Sequence, residues 1–247
     1  VLVVALISPL HALGETLLAA HMAQHALLIA VAPLLVLFGK PGLVFAWALP
    51  AGWRKTFLGS SAWRSLAGIG DALSRPLPAA VLHALALWLW HVPAAFNAAV
   101  ASYTVHALEH SAFLGTALLF WRAILDGRST RRAGPALGAS FATLMHGGLL
   151  GALITLAPYP LYAWYHGRTE LWGFSALEDQ QLAGLLMWVP MGIVYLAACL
   201  VLAGRLVVEE EQHSEAPVEA VSVEKLRSAV SLEGPATQPR SPPRAGK

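Results

Sequence analysis

Residues 21–39 read HMAQHALLIAVAPLLVLFG, an apolar run that begins with two histidines. Residues 18–38 contain no Asp, Glu, Lys or Arg, and this length of α-helix crosses the hydrocarbon core of a bilayer. His21 and His25 are four residues apart, so their side chains project from one face of such a helix. The stretch therefore predicts a membrane-spanning helix with a polar face at one end.

The composition of the whole chain supports this interpretation. Of 247 residues, 57% are hydrophobic and 12% are charged, whereas an ordinary soluble domain has about 25% charged residues. Four more segments are long and apolar enough to span a bilayer, at residues 78–100, 104–125, 136–157 and 180–204. The predicted fold class is all-α, a polytopic transmembrane helical bundle, because the strand pattern of a barrel is absent.

The two ends of the sequence differ from this apolar centre. Residues 1–8 are apolar but too few to span a bilayer, so we expect about six helices, the first of them truncated at the N-terminus. From residue 206 the chain becomes polar and proline-rich, as in its last residues GPATQPRSPPRAGK. We therefore expect a transmembrane helical bundle over residues 1–205 and a disordered cytoplasmic tail over residues 206–247.

Lysine and arginine predict the orientation of the bundle. The connection 39–77 and the connection after residue 125 are basic, whereas residues 9–17 and 97–103 contain no Lys or Arg. Basic loops stay on the cytoplasmic side of a membrane. We expect a multi-pass protein of the cell (inner or plasma) membrane with a cytoplasmic C-terminus. Topology explains the basic loops, so they do not indicate nucleic-acid binding.

The histidines collect on the outer side of this topology. Of ten, seven fall in outer halves of helices or in outer loops: His11, His21, His25, His91, His106, His110 and His166. The pairs His21/His25 and His106/His110 both have i,i+4 spacing, so each pair can chelate one ion. Imidazole suits copper, zinc, iron and nickel alike. The predicted metal ligands are His21, His25, His91, His106, His110 and His146.

Six other side chains are secondary candidates, as further ligands or as groups that orient a ligand: Met22, Glu109, Met145, Asp179, Met187 and Met191. A carboxylate can fix the tautomer of a ligating histidine, and thioether sulfur selects Cu(I). Structural alternatives stay open, because intramembrane histidines also hydrogen-bond between helices and methionine fills core gaps. His83 is better explained as structural, and His11 and His166 as solvated loop residues. The single cysteine, Cys199, excludes an intrachain disulfide or a CxxC metal motif.

Five motifs, in this order, carry a resemblance to a known family: HMAQH, PLLVLFGKP, WHVPAAFNAAV, VHALEHSAF and DQQLAGLLMWVPMG. The chain resembles the CtaG family of integral-membrane assembly factors for caa-type cytochrome c oxidase, over residues 8–204. The tyrosine that often follows HxP in this family is Phe96 here. The family's recurrent polar residues correspond to His21, His25, His91, His106, Glu109, His110, His146 and Asp179.

The resemblance implies a non-catalytic chaperone of the respiratory chain that matures a haem–copper oxidase by supplying copper. Its implied partners are cytochrome c oxidase subunits and the lipid bilayer, and a homo-oligomer that shares ligands stays open. Alternatives are a haem b electron-transfer protein with axial histidines, a membrane oxygenase with a dinuclear site, and a metal-free scaffold. The sequence has no Ser/His/Asp grouping, P-loop or dinucleotide fingerprint, so no catalytic site is predicted.

Overall fold

The computed structural model describes residues 1–2, 8–40, 47–126 and 130–232, and the regular structure within them is helical. The helices are α1 (Pro9–Gly14), α2 (Leu18–Gly39), α3 (Ala51–Leu58), α4 (Ser61–Leu73), α5 (Pro76–His91), α6 (Pro93–Ala101), α7 (Tyr103–Asp126), α8 (Thr130–Thr155) and α9 (Ala176–Leu232). Short 3₁₀ turns lie at Ala163–Tyr165 and Thr169–Trp172. The all-α prediction is confirmed. The predicted truncated helix falls mostly outside the described residues.

Three described helices are long and apolar enough to cross a membrane: Leu18–Gly39, Ala133–Thr155 and Ala176–Val208. A fourth span results if α4 and α5, which meet at 82°, are counted together. Helix α7 has 24 residues, about 36 Å, but Glu109 and two histidines make it less apolar. The described spans are therefore fewer than the six helices that the sequence predicts.

The predicted span 78–100 is two helices in the structure. Helix α5 ends at His91, Val92 is extended with φ −61° and ψ 130°, and α6 begins at Pro93. A proline ring clashes with a helical conformation of the preceding residue, so Pro93 ends α5. The break places His91 in the last turn of its helix.

Helix α2 contains a π-helical turn, Leu27–Val31, directly after His25. Pro33 has no N–H to donate to the carbonyl of Ile29, four residues before it. The indole Nε1–H of Trp121 in α7 donates to that carbonyl at 2.8 Å instead. A neighbouring helix thus satisfies the backbone group that proline leaves, as membrane helices require.

Contacts of α9 hold two other helices in place. The Asp179 carboxylate accepts hydrogen bonds from the backbone N–H groups of Leu18 (2.6 Å) and Ala19 (3.1 Å), at the N-terminus of α2. Further along, Gly184 packs against α8 so closely that an added Cβ would lie 2.7 Å from the Gly151 carbonyl oxygen. Both contacts lie at the end of the bundle that carries most of the histidines.

The chain divides into two compact units, residues 1–204 and 205–247. In the second unit the backbone is helical as far as Leu232, where the sequence predicts disorder. More than half of residues 206–232 are Ala, Leu, Glu, Gln, Lys or Arg, which favour helix, whereas Pro217 opposes it. Residues 233–247 lie outside the described residues. The disorder of the tail stays a prediction.

Candidate metal centre

Two helices bring four side chains together at the histidine-rich end of the bundle. His21 comes from α2, and His106, Glu109 and His110 come from one face of α7. Each offers one ligand atom, and the four atoms lie within 4.8 Å of one another. We call these four residues the central cluster. The i,i+3 and i,i+4 spacings in α7 put its three members on one face, and α2 packs His21 against that face.

Glu109 is the hub of the central cluster. Its Oε2 lies 3.7 Å from His21 Nε2, 3.8 Å from His25 Nε2 and 4.0 Å from His106 Nε2. These separations are too long for hydrogen bonds. They suit groups that share an ion, because metal–ligand bonds to nitrogen and oxygen are about 2 Å long.

The polar atoms of this region are buried, and many have no hydrogen-bond partner. The unpartnered atoms here are Nε2 of His21, His91, His106 and His110, both ring nitrogens of His25, and both carboxylate oxygens of Glu109. An unpaired buried polar group typically costs about 1–3 kcal/mol. Native proteins rarely leave so many together. A cation bound at the central cluster would satisfy its three ring lone pairs and the Glu109 carboxylate at once.

Aromatic side chains wall this region off from the rest of the bundle. The Phe96 ring contacts the His21 ring with 5.0 Å between centroids, and the Phe113 ring contacts the His25 ring at 4.6 Å. Both phenylalanines are fully buried. A dry, apolar wall strengthens the attraction between a cation and the Glu109 carboxylate, since the local dielectric constant is low.

His91 lies beside the central cluster in a fixed tautomer. Its Nδ1–H donates to the Leu87 carbonyl at 2.7 Å, so the lone pair is on Nε2, which is buried and unpartnered. The His91 ring centroid lies 5.6 Å from that of His25. A second hydrogen bond from Nδ1 is the usual way in which proteins orient a metal-ligating imidazole.

His11 lies at the rim of the central cluster, whereas the sequence suggests that it is a solvated loop residue. Its half-buried ring stacks on the His106 ring with 5.4 Å between centroids. A cavity of about 120 Å³ is lined by His11, His21, Tyr103 and His106 among others. A second cavity of about 220 Å³ is lined by His11, Tyr103, His106 and His110 among others. The outer-side location of His11 was the available signal for this role.

The structure separates His146 from the central cluster. Its Nδ1 accepts a hydrogen bond from Trp88 Nε1 at 3.4 Å, and its Nε2 is unpartnered. Next to it, Met145 is exposed on α8. His83 has both ring nitrogens occupied, by Thr116 Oγ1 (3.1 Å) and Tyr195 Oη (3.2 Å), which agrees with a structural role.

The remaining secondary candidates lie near the central cluster but outside it. Met22 is fully buried in the core beside His21. Met187 and Met191 line a narrow apolar cavity that His25 also lines. Asp179 caps α2 through the two bonds described above. Its carboxylate is therefore occupied.

Sequence reasoning missed two tyrosines that tie the loop between α8 and α9 to the helices beside the central cluster. Tyr162 Oη donates to the His91 carbonyl at 3.0 Å, and Tyr165 Oη donates to the Gly14 carbonyl at 2.8 Å. Burial raises the pKa of both phenols above the usual range, so they remain protonated donors. The sequence shows that this loop is rich in aromatic residues. The two carbonyl groups that accept hydrogen bonds from its tyrosines, however, are more than 70 residues away in the sequence.

Comparison with known proteins gives one match. The sequence model of the family described as cytochrome c oxidase caa3 assembly factor (Caa3_CtaG) matches residues 1–209. No curated protein and no solved structure matches the chain. The matched range contains the whole central cluster together with His25 and His91.

Proposed function

The chain belongs to the Caa3_CtaG family of cytochrome c oxidase caa3 assembly factors, and we propose that it serves this assembly by binding copper at the central cluster and passing it to the oxidase. The family membership makes the oxidase its client and favours a non-catalytic role. Its apolar helices agree with action in the membrane.

One observation carries the proposal: the central cluster is a set of buried ligand atoms that lack other partners. Three imidazole nitrogens and one carboxylate converge from two helices within 4.8 Å. Ionisable groups inside a membrane protein are costly and are usually kept for function. A purely structural role would need hydrogen bonds between these groups, and their separations of 3.7–4.0 Å are too long for that.

Copper is the metal that best fits both this ligand set and the function of the family. Imidazole nitrogen binds copper well. A caa3 oxidase belongs to the haem–copper oxidases, so its assembly needs a copper supply.

The geometry also supports transfer of the ion by ligand exchange. His21 and Glu109 are fully buried, whereas the His106 side chain is 14% exposed and borders the two cavities beside His11. An incoming ligand can therefore reach the ion on the His106 side while the other ligands hold it. The outer position of this opening follows from the predicted topology and is part of the proposal.

The close packing of the rings favours a bare ion over haem. The His21 ring centroid lies 5.0 Å from that of His106 and 5.9 Å from that of His110. Axial histidines of a haem must face each other across a wide planar macrocycle. The visible spectrum of the purified protein checks this point, since a bis-histidine haem gives a Soret band and copper does not.

The decisive experiment measures copper in the purified chain. The protein in detergent is loaded anaerobically with Cu(I), desalted and analysed for metal. The wild type should retain copper, and the triple variant His21→Ala/His106→Ala/His110→Ala should retain less, because it loses the copper held by the central cluster. The variant His166→Ala, which alters an exposed loop histidine, is the matched control and should bind like the wild type.

A cellular assay then tests delivery. A strain that lacks the protein should assemble caa3 oxidase with low activity and low copper content, and the wild-type gene should restore both. The triple variant should be made at normal levels and fail to restore them. Full rescue by the triple variant, or a wild-type protein that never retains copper, would overturn the proposal.

A further inference from the structure

His25 and His91 present buried ligand atoms that one ion at the central cluster does not use. Both ring nitrogens of His25 and the Nε2 of His91 are unpartnered. The central cluster already supplies four ligand atoms, which are enough to complete a tetrahedral coordination shell around one metal ion. A single ion therefore leaves the free-energy cost of burying these additional nitrogens unexplained.

We infer that the centre holds two copper ions, the first at the central cluster and the second between His25 and His91, with the Glu109 carboxylate shared between them. This inference rests on the proposed function. It adds a second ligand set, a stoichiometry and an oxidation state.

The positions of the two rings fit joint ligation of one ion. With metal–nitrogen bonds of about 2 Å, two imidazoles on one ion have ring centroids about 5–6 Å apart. The His25 and His91 centroids are 5.6 Å apart, with the ring planes at 79°. The hydrogen bond from His91 Nδ1 to the Leu87 carbonyl leaves the Nε2 lone pair for the ion.

Glu109 is placed to bridge the two ligand sets. Its Oε2 lies 3.8 Å from His25 Nε2 and 3.7 Å from His21 Nε2, so it contacts one histidine of each set. Its Oε1 is also buried and unpartnered. Metal ions that share a carboxylate in this way typically lie about 3.5–4 Å apart.

The charge of the surroundings favours monovalent copper at both positions. Among the described residues, Glu109 is the one carboxylate within 4 Å of these ring nitrogens. Asp179 is engaged by the backbone of α2. Two divalent ions would leave a net charge of three in a buried region, which is strongly unfavourable. Two Cu(I) ions leave a net charge of one, and Cu(I) tolerates a small number of ligands.

Stoichiometry tests the inference directly. The full chain in detergent is titrated anaerobically with Cu(I) in competition with a chromogenic Cu(I) chelator, and bound metal is counted per chain. The wild type and the control His166→Ala should bind two equivalents, and His91→Leu should bind one. X-ray absorption of the loaded wild type should show copper–copper scattering below about 4 Å.

Each outcome separates the two proposals. No bound copper in the wild type would overturn the proposed function and this inference together. One equivalent in the wild type, without copper–copper scattering, would overturn the inference and leave the proposed function standing. Two equivalents in a folded His91→Leu variant would also overturn it. If His91→Leu does not fold, the wild-type count and the scattering still decide.

Discussion

At the scale of single residues, Glu109 carries the chemistry of the centre. It is fully buried, both of its oxygens are unpartnered, and three imidazoles surround one of them. A lone carboxylate in such a place is stable only if a cation or a proton accompanies it. Binding of a cation at the centre therefore depends on the negative charge of the Glu109 carboxylate.

Glu109→Gln keeps the size of this side chain and removes its charge. We expect copper affinity to fall by about tenfold or more, because a neutral amide cannot balance the charge of the ion. Competition with a Cu(I) chelator measures the change. Glu178→Gln, on an exposed carboxylate of α9, should leave affinity unchanged. Equal affinity of Glu109→Gln and wild type would contradict a ligand role for Glu109.

At the scale of elements, helix ends and helix crossings hold the candidate ligands in place. Asp179 fixes the start of α2, one turn before His21, and the Gly151–Gly184 crossing sets the distance between α8 and α9. Pro93 ends α5 directly after His91. Each of these three features fixes the position of the backbone. Its loss should therefore lower the stability of the protein more than its affinity for metal.

Asp179→Ala removes the cap of α2. The free energy of unfolding should fall by about 1–2 kcal/mol, because two backbone N–H groups lose their acceptor. Thermal unfolding in detergent measures the loss, with Glu170→Ala, on an exposed carboxylate before α9, as the control. The folded variant should still bind copper as the wild type does, whereas a direct ligand role for Asp179 requires that copper be lost.

Gly184→Ala tests the close crossing of α8 and α9. The added methyl group would approach the Gly151 carbonyl oxygen at 2.7 Å, and such overpacking costs about 1–3 kcal/mol. Gly192→Ala lies on the same helix, where an added Cβ would lie 3.9 Å from the Leu144 side chain, so it should be neutral or stabilising. Equal melting temperatures for the two variants would show that α8 and α9 are far enough apart at Gly184 to accept a methyl group.

At the scale of the whole molecule, the centre joins helices that are distant in sequence. Its candidate ligands come from α2, α5 and α7, and Tyr162 and Tyr165 tie the loop between α8 and α9 to α5 and α1. Occupancy of the centre should therefore stabilise the bundle as a unit, because a ligand that binds only the folded state shifts the unfolding equilibrium.

Cu(I) should raise the melting temperature of the wild-type protein. At a free concentration of about one hundred times the dissociation constant, the stabilisation is about 2.7 kcal/mol. The triple variant His21→Ala/His106→Ala/His110→Ala should show a smaller shift under the same anaerobic conditions, because it lacks the three histidines of the central cluster. A shift of equal size in both proteins would mean that copper stabilises the bundle from some other location.

The sequence by itself determined the class of fold and the candidates for the centre. Hydrophobic length predicts spanning helices, and i,i+4 spacing predicts paired imidazoles, because both are local properties of one helix. Only the tertiary structure decided which candidates meet. It joined His21 to α7, added His11 at the rim, separated His146, and engaged Asp179 as a cap. These outcomes depend on how helices rotate and cross, which side-chain packing between distant segments sets and local periodicity does not encode.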